Sequence, residues 1–242
     1  MNLLSLGSAQ RRLFAIHEAA VATNRPRRAV VLCHPWGTEY TYAHRSMRQL
    51  ALKLAQSGCH TLCFDYFGTG DSGGERSDTS LAGCESDVEA AIEALADIAQ
   101  TPRVTLVGLR LGANIAANVA ARGASIVEAL VLWDPIVSGS AYLHSLRATK
   151  TWEKSGVADT PMANDLTSLD LRSLRGALPE RTAIFVTDSV ESRERIVELG
   201  ITVGPKPATI EFLATSSPWL ESATISGMLP VPLIQRVVEW LR

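Results

Sequence analysis

The stretch VTLVGLRLGANIAANVA, Val104 to Ala120, decides how the rest of the chain reads. An apolar run, VTLVGL, meets a Gly-x-x-x-Gly turn at Gly108-Leu109-Arg110-Leu111-Gly112 and continues as the small-residue helix LGANIAANVAAR. Two glycines so placed let strand and helix approach closely around a sharp turn. The central side chain is thrust out at the strand's carboxyl end, before a helix N-terminus that favours negative charge. That central residue is Arg110. A guanidinium stays protonated at any accessible pH and has no lone pair with which to attack a carbonyl. It can hold a carboxylate or phosphate in its planar fork, or pair with a protein acid and plug the pocket.

Working outward, strands and helices alternate. RRAVVLCHP is an apolar, β-branched strand ending at a proline, and Tyr42 to Ser57 carries apolar residues at three-to-four spacing until Gly58 stops it. HTLCFDY is the next strand, followed by the Gly-rich loop FGTGDSGGERSD. A helix covering Asp87 to Ile98 and beginning somewhat earlier precedes VTLVGL, and EALVLWDP follows the small-residue helix. RTAIFVTDS and ATIEFLATS resume the strands, with a helix around ESRERIVELG between them and a closing helix in Pro230 to Arg242. This rhythm predicts an α/β fold, a mostly parallel sheet with helices on both faces, to which RRLFAIHEA adds an antiparallel edge strand. The rhythm breaks at about 136–179, where a mixed polar stretch is long enough for a lid or binding insertion in an otherwise single domain spanning 1–242.

Composition narrows the function classes. The net charge of −2 and short basic clusters (Arg11 and Arg12; Arg25, Arg27 and Arg28) argue against a nucleic-acid partner and read as solvated strand ends. No run approaches 18 apolar residues and the N-terminus lacks a signal-peptide pattern, so no membrane span is expected. Cys33, Cys59, Cys63 and Cys84 match no zinc spacing and read as buried thiols of a reducing, cytoplasmic protein. Gly68-Thr69-Gly70 lacks the rest of any nucleotide fingerprint, and no cofactor is expected.

Three stretches together resemble the α/β-hydrolase superfamily over nearly the whole chain, and within it the serine-aminopeptidase-like and exosortase-associated branches. His34-Pro35-Trp36-Gly37 sits where that family has its His-Gly oxyanion loop. Asp65 to Gly74, DYFGTGDSGG, resembles its D-x-x-G-x-G-x-S loop, and Gly108 to Gly112 occupies its nucleophile elbow, with some exosortase-associated relatives similarly carrying G-L-R-L-G-A. The resemblance implies a sheet of about eight strands and a hydrolase's oxyanion site, with backbone N–H groups at Leu111 and near Trp36 facing a common point.

Two departures set this chain apart. Family catalysis uses Ser, an acid and His in chain order. Arg110 replaces the serine, and none of the five histidines (His17, His34, His44, His60, His144) follows the last strand. The residues left to form a site are Arg110 at the centre, with His34, Trp36, Glu39, Leu111 and Asp134 as ligand contacts. His34, Arg110 and Asp188 are the candidates for any residual catalysis. Asp65, Asp71 and Ser72 read as shaping the Gly-rich loop through local hydrogen bonds. Three functions follow: a degenerate hydrolase fold binding a small acidic or acyl-bearing molecule, an ester, thioester or amide hydrolase working without the triad, or a structural or interaction protein, with a homodimer as one form, in which Arg110 is paired internally.

Overall fold

In the computed structural model, eight strands form one sheet. The structure describes residues 1–22, 27–123, 126–148, 160–174, 178–187, 196, 208–220 and 228–242. In chain order the strands are β1 (Asn2–Gly7), β2 (Arg12–Glu18), β3 (Arg28–Cys33), β4 (Cys59–Phe64), β5 (Val104–Leu109), β6 (Val127–Trp133), β7 (Thr182–Thr187) and β8 (Thr209–Leu213). Their spatial order is β1-β2-β4-β3-β5-β6-β7-β8. β2 joins β4 antiparallel, as expected of RRLFAIHEA, but it is not the edge strand, because β1 pairs with its other side; every pair from β4 to β8 is parallel. The edge strand β1 is an addition to the sequence reading. NLLSLG pairs antiparallel with β2, and its mostly exposed side chains leave only a weak burial signal to read.

Both faces of the parallel strands β3 to β7 are largely buried, which explains their continuous apolar runs, while the edge strand β8 is half-exposed. Ala29, Val31 and Cys33 of β3 face helices α2 (Leu81–Ala99) and α3 (Leu111–Arg122). Val30 and Leu32 face α1 (Thr38–Gln56) and the closing helix Val231–Leu241. α1 and α2 both start earlier than their apolar periodicity indicates. The first turn of α1 follows Gly37, whose φ of 68° turns the chain, and it carries Glu39 towards the site instead of an apolar residue towards the core. α2 begins at a capping Ser80, whose Oγ accepts from Gly83 N at 3.1 Å, while Leu81 N donates to Asp165.

The described parts of 136–179 hold α4 (Gly139–Arg147), α5 (Pro161–Ser168) and a short 3₁₀ turn, Leu171–Leu174. Leu143, Met162, Leu166 and Leu171 enter the same apolar cluster as α2 and α3. The segment is thus anchored in the core. The predicted helix around ESRERIVELG lies almost wholly outside the described residues. Two of the basic positions depart from the solvated reading. Arg11 clamps the buried Asp87 through Nε at 2.6 Å and Nη2 at 3.1 Å, and Arg28 donates to the Arg242 carbonyl at 2.7 Å. Among the described residues no helix is long and apolar enough to cross a membrane.

Candidate functional site at the strand carboxyl ends

β3 connects leftward to β4 through α1, while β5 lies on its other side, so the sheet's switch point falls at Cys33 and Leu109. Ligands in open α/β sheets gather beyond the carboxyl ends of strands at such a point. Arg110 stands there, at φ 55° and ψ −124°, its backbone N–H donating to the Trp133 carbonyl at 2.9 Å. The flanking glycines are sterically required. A Cβ on Gly112 would come within 2.2 Å of the His34 carbonyl oxygen, and one on Gly108 within 2.4 Å of Ala113 Cα. The sequence therefore builds the elbow geometry and presents an arginine from it.

The guanidinium is held on several sides. Nε donates to Glu39 at 3.2 and 3.4 Å, Nη2 to Glu39 Oε1 at 3.1 Å, and Nη1 to the Asp134 carbonyl at 3.2 Å. The Trp219 ring lies 3.9 Å from Cζ and the Tyr142 ring 5.3 Å, both within cation–π range. A guanidinium has five N–H bonds. Among the described residues one N–H on each Nη stays unspent, and the side chain keeps 13% exposure. Burial works against the charge of Arg110, and Glu39 together with Tyr142 and Asp134 more than offsets it, so the group stays a cation. Burial likewise pushes the Glu39 carboxyl up, against the pull of Arg110 and a hydrogen bond with Tyr142.

Asp134, at φ 43°, commits its carboxylate to donors other than Arg110. Oδ1 accepts from Thr187 N at 2.7 Å, and Oδ2 accepts from Thr187 Oγ1 at 2.5 Å and Trp219 Nε1 at 2.9 Å. Burial raises its pKa while these donors pull it down. Two acids thus surround one cation in a buried space. With both ionised, the centre carries one negative charge.

His34 is buried in the loop after β3. Its ring stacks near His44 at 6.1 Å and meets Tyr40 edge-on at 5.4 Å. Burial, reinforced by His44, lowers its pKa to about 3, so it is neutral, and its Nδ1 finds no hydrogen-bond partner among the described residues. Trp36 is buried, and Leu111 opens α3 directly behind Arg110. Cys33 faces the α2–α3 side, with burial pushing its thiol up to about 12, which removes it as a nucleophile. Asp188 lies outside the described residues. Tyr142, Thr187 and Trp219 join the site without having been singled out in sequence. Trp219 had a positional signal, since it stands in the loop after β8 where the family's histidine would be.

Beside this centre, the Gly-rich loop is fixed by Asp65. Its carboxylate accepts from Tyr40 Oη at 2.7 Å and Asp71 N at 2.9 Å, and its carbonyl from Ser72 Oγ at 2.6 Å. Only glycine fits at position 70, where φ is 53° and a Cβ would strike Asp65 Oδ2 at 2.2 Å. A cavity of about 360 Å³ opens between this loop and the His-Pro-Trp-Gly turn, lined by Trp36, Gly37, Tyr40, Thr69, Gly70 and Arg76 among others.

Residues 24–171 match the family described as "Serine aminopeptidase, S33", and the chain belongs to that family. Its fold is that of the α/β-hydrolases. XC6422 from Xanthomonas campestris, described as an a/b serine hydrolase without lid, superposes with a TM-score of 0.70 at 16% identity, covering 100% of this chain and 93% of that one. Est1E from Butyrivibrio proteoclasticus, solved with ferulic acid bound, gives 0.73 at 13% identity, covering 98% and 99%. A serine hydrolase homologue from Coxiella burnetii gives 0.66 at 17%, covering 100% and 97%. At these identities the likeness concerns the fold. No curated protein matches the chain in sequence.

Proposed function

We propose that this chain is a hydrolase-fold protein that binds an acyl-bearing small molecule at Arg110 without forming an acyl-enzyme. The observation that carries this reading is the arginine itself, presented from an intact elbow with one N–H on each Nη unspent among the described residues. Those two donors suit a carbonyl oxygen. Charge balance chooses between the two ligand classes. A neutral ester, thioester or amide adds no charge to a centre that already sets two acids against one cation, whereas a free carboxylate adds a third acid and is favoured where Glu39 or Asp134, both pushed up by burial, takes a proton. Binding of an acidic ligand is then accompanied by proton uptake and strengthens as pH falls. His34, Trp36, Glu39, Leu111 and Asp134 serve as the surrounding contacts, and the 136–179 insertion acts as a binding segment through Tyr142.

Hydrolysis without the triad finds less support, because burial leaves His34 with too little proton affinity to serve as a base near neutral pH and Asp134 is already committed to three donors. The structural alternative, with a second copy as partner, draws on a specific observation: Glu39 and Trp219 already neutralise and cover much of Arg110. The G-L-R-L-G-A elbow supports placing the chain in the exosortase-associated branch, and four buried free thiols fit a reducing cytoplasm.

The test is calorimetric titration of unreactive acyl amides from short to long chain, paired with turnover of the matching esters and thioesters, on wild type and Arg110→Ala. Binding lost in the variant with no turnover in either protein is the expected result. Turnover lost in the variant would replace binding with hydrolysis. Absence of both would leave the ion-paired structural role.

A further inference from the structure

The centre contains three residues in the chain order nucleophile, acid, base: Arg110 at the elbow, Asp134 after β6 and Trp219 after β8. Asp134 behaves as a triad acid does. It is buried, braced at Oδ1 and Oδ2 by Thr187, and it accepts a ring N–H from the third member, Trp219 Nε1 at 2.9 Å. In a working triad that same bond orients an imidazole. An indole has one nitrogen, a donor only, and cannot take a proton. Its ring lies instead 3.9 Å from Arg110 Cζ.

We infer that Asp134, Trp219 and Arg110 form an acid–base–nucleophile frame in which two members have been exchanged as a matched pair, and that Trp219 is the positioning residue for Arg110. Asp134 fixes the indole by its N–H. The indole face then holds the guanidinium against Glu39, which binds its Nε and Nη2 edge. Each exchange makes sense only with the other. An imidazole beside a fixed guanidinium would have its proton affinity lowered by the neighbouring charge. A hydroxyl beside an indole would have no base. This inference stands apart from the ligand reading, since it concerns what holds Arg110 and not what Arg110 holds.

The experiment restores both members at once. Rates on p-nitrophenyl acetate are compared for wild type, Arg110→Ser, Trp219→His, the double variant, and the double variant with Asp134→Asn. In the double variant the new hydroxyl oxygen bonds the ester carbonyl carbon while the imidazole takes its proton. The carbon–oxygen bond to p-nitrophenolate then breaks and the imidazole proton passes to solvent. Water, deprotonated by the same imidazole, finally releases acetate and returns the hydroxyl.

The double variant should exceed each single variant by about 100-fold or more, the scale of general-base catalysis. Its rate should rise with pH through an imidazole pKa, and Asp134→Asn should remove most of the gain. A folded double variant no faster than Arg110→Ser, or indifferent to Asp134→Asn, overturns the inference. A second readout needs no gain of activity. The Arg110 Nε–H resonance should move in Trp219→Leu, which removes the ring, and also in Trp219→Phe, which keeps a ring but loses the N–H that Asp134 holds. An unchanged resonance in Trp219→Leu equally overturns it.

Discussion

Arg110 and Glu39 are worth more as a pair than either is alone. Glu39→Ala leaves a buried guanidinium whose direct contacts among the described residues are a carbonyl and two rings, and should cost about 3–5 kcal/mol in denaturant unfolding. Adding Arg110→Met to that variant should recover most of the loss, because burying no charge is close to neutral. His34 sets the sign of one part of the pH dependence. Its folded pKa of about 3 lies below the ordinary 6.5, so between those values the unfolded chain binds a proton that the folded chain refuses. Its contribution is fully present above pH 6.5 and is lost as pH falls, with a slope near 1.4 kcal/mol per pH unit. His17 and His60, paired at 3.1 Å between β2 and β4 and lowered chiefly by burial, add in the same direction. Unfolding measured from pH 7 to 4 should show this slope, reduced in His34→Gln. Sequence could isolate Arg110 because its glycine frame is local. Tyr142 and Trp219 reach it from other elements, and no spacing along the chain records a meeting made by the sheet.

At the scale of elements, the elbow depends on how near α3 stands to the loop after β3. Gly112→Ala should cost about 1–3 kcal/mol or more in thermal or denaturant melts, since the clashing atoms are the Cys33 and His34 carbonyls and neither can rotate away. Asn114, buried on α3, donates to the Ile136 carbonyl at 2.7 Å and accepts from its N–H at 3.0 Å, tying β6's exit to the helix. Asn114→Ala strands both backbone groups and should cost about 2–3 kcal/mol by the same measurement, with Asn114→Asp recovering only the accepting half. Element identity was readable wherever apolar periodicity runs through a buried face, as in β3, β5 and β6. It failed at the first turn of α1, where Glu39 serves the site, and at β1, whose side chains are largely exposed.

The whole molecule joins two apolar layers through one sheet, and β3 is common to both. The two neighbours of β3 come from well separated parts of the chain: β4 on one flank and β5 on the other, with all of α2 between them. That arrangement has a consequence for synthesis. As the chain leaves the ribosome, β1 to β4 can pair as soon as Phe64 emerges, yet one flank of β3 stays bare until Val104–Leu109 follows. An unpaired, wholly apolar strand edge is an adhesive surface. A nascent chain stalled between those two points should therefore be a better chaperone client than the finished protein. The glycine turn that ends β5 would then mark the moment at which it ceases to be one.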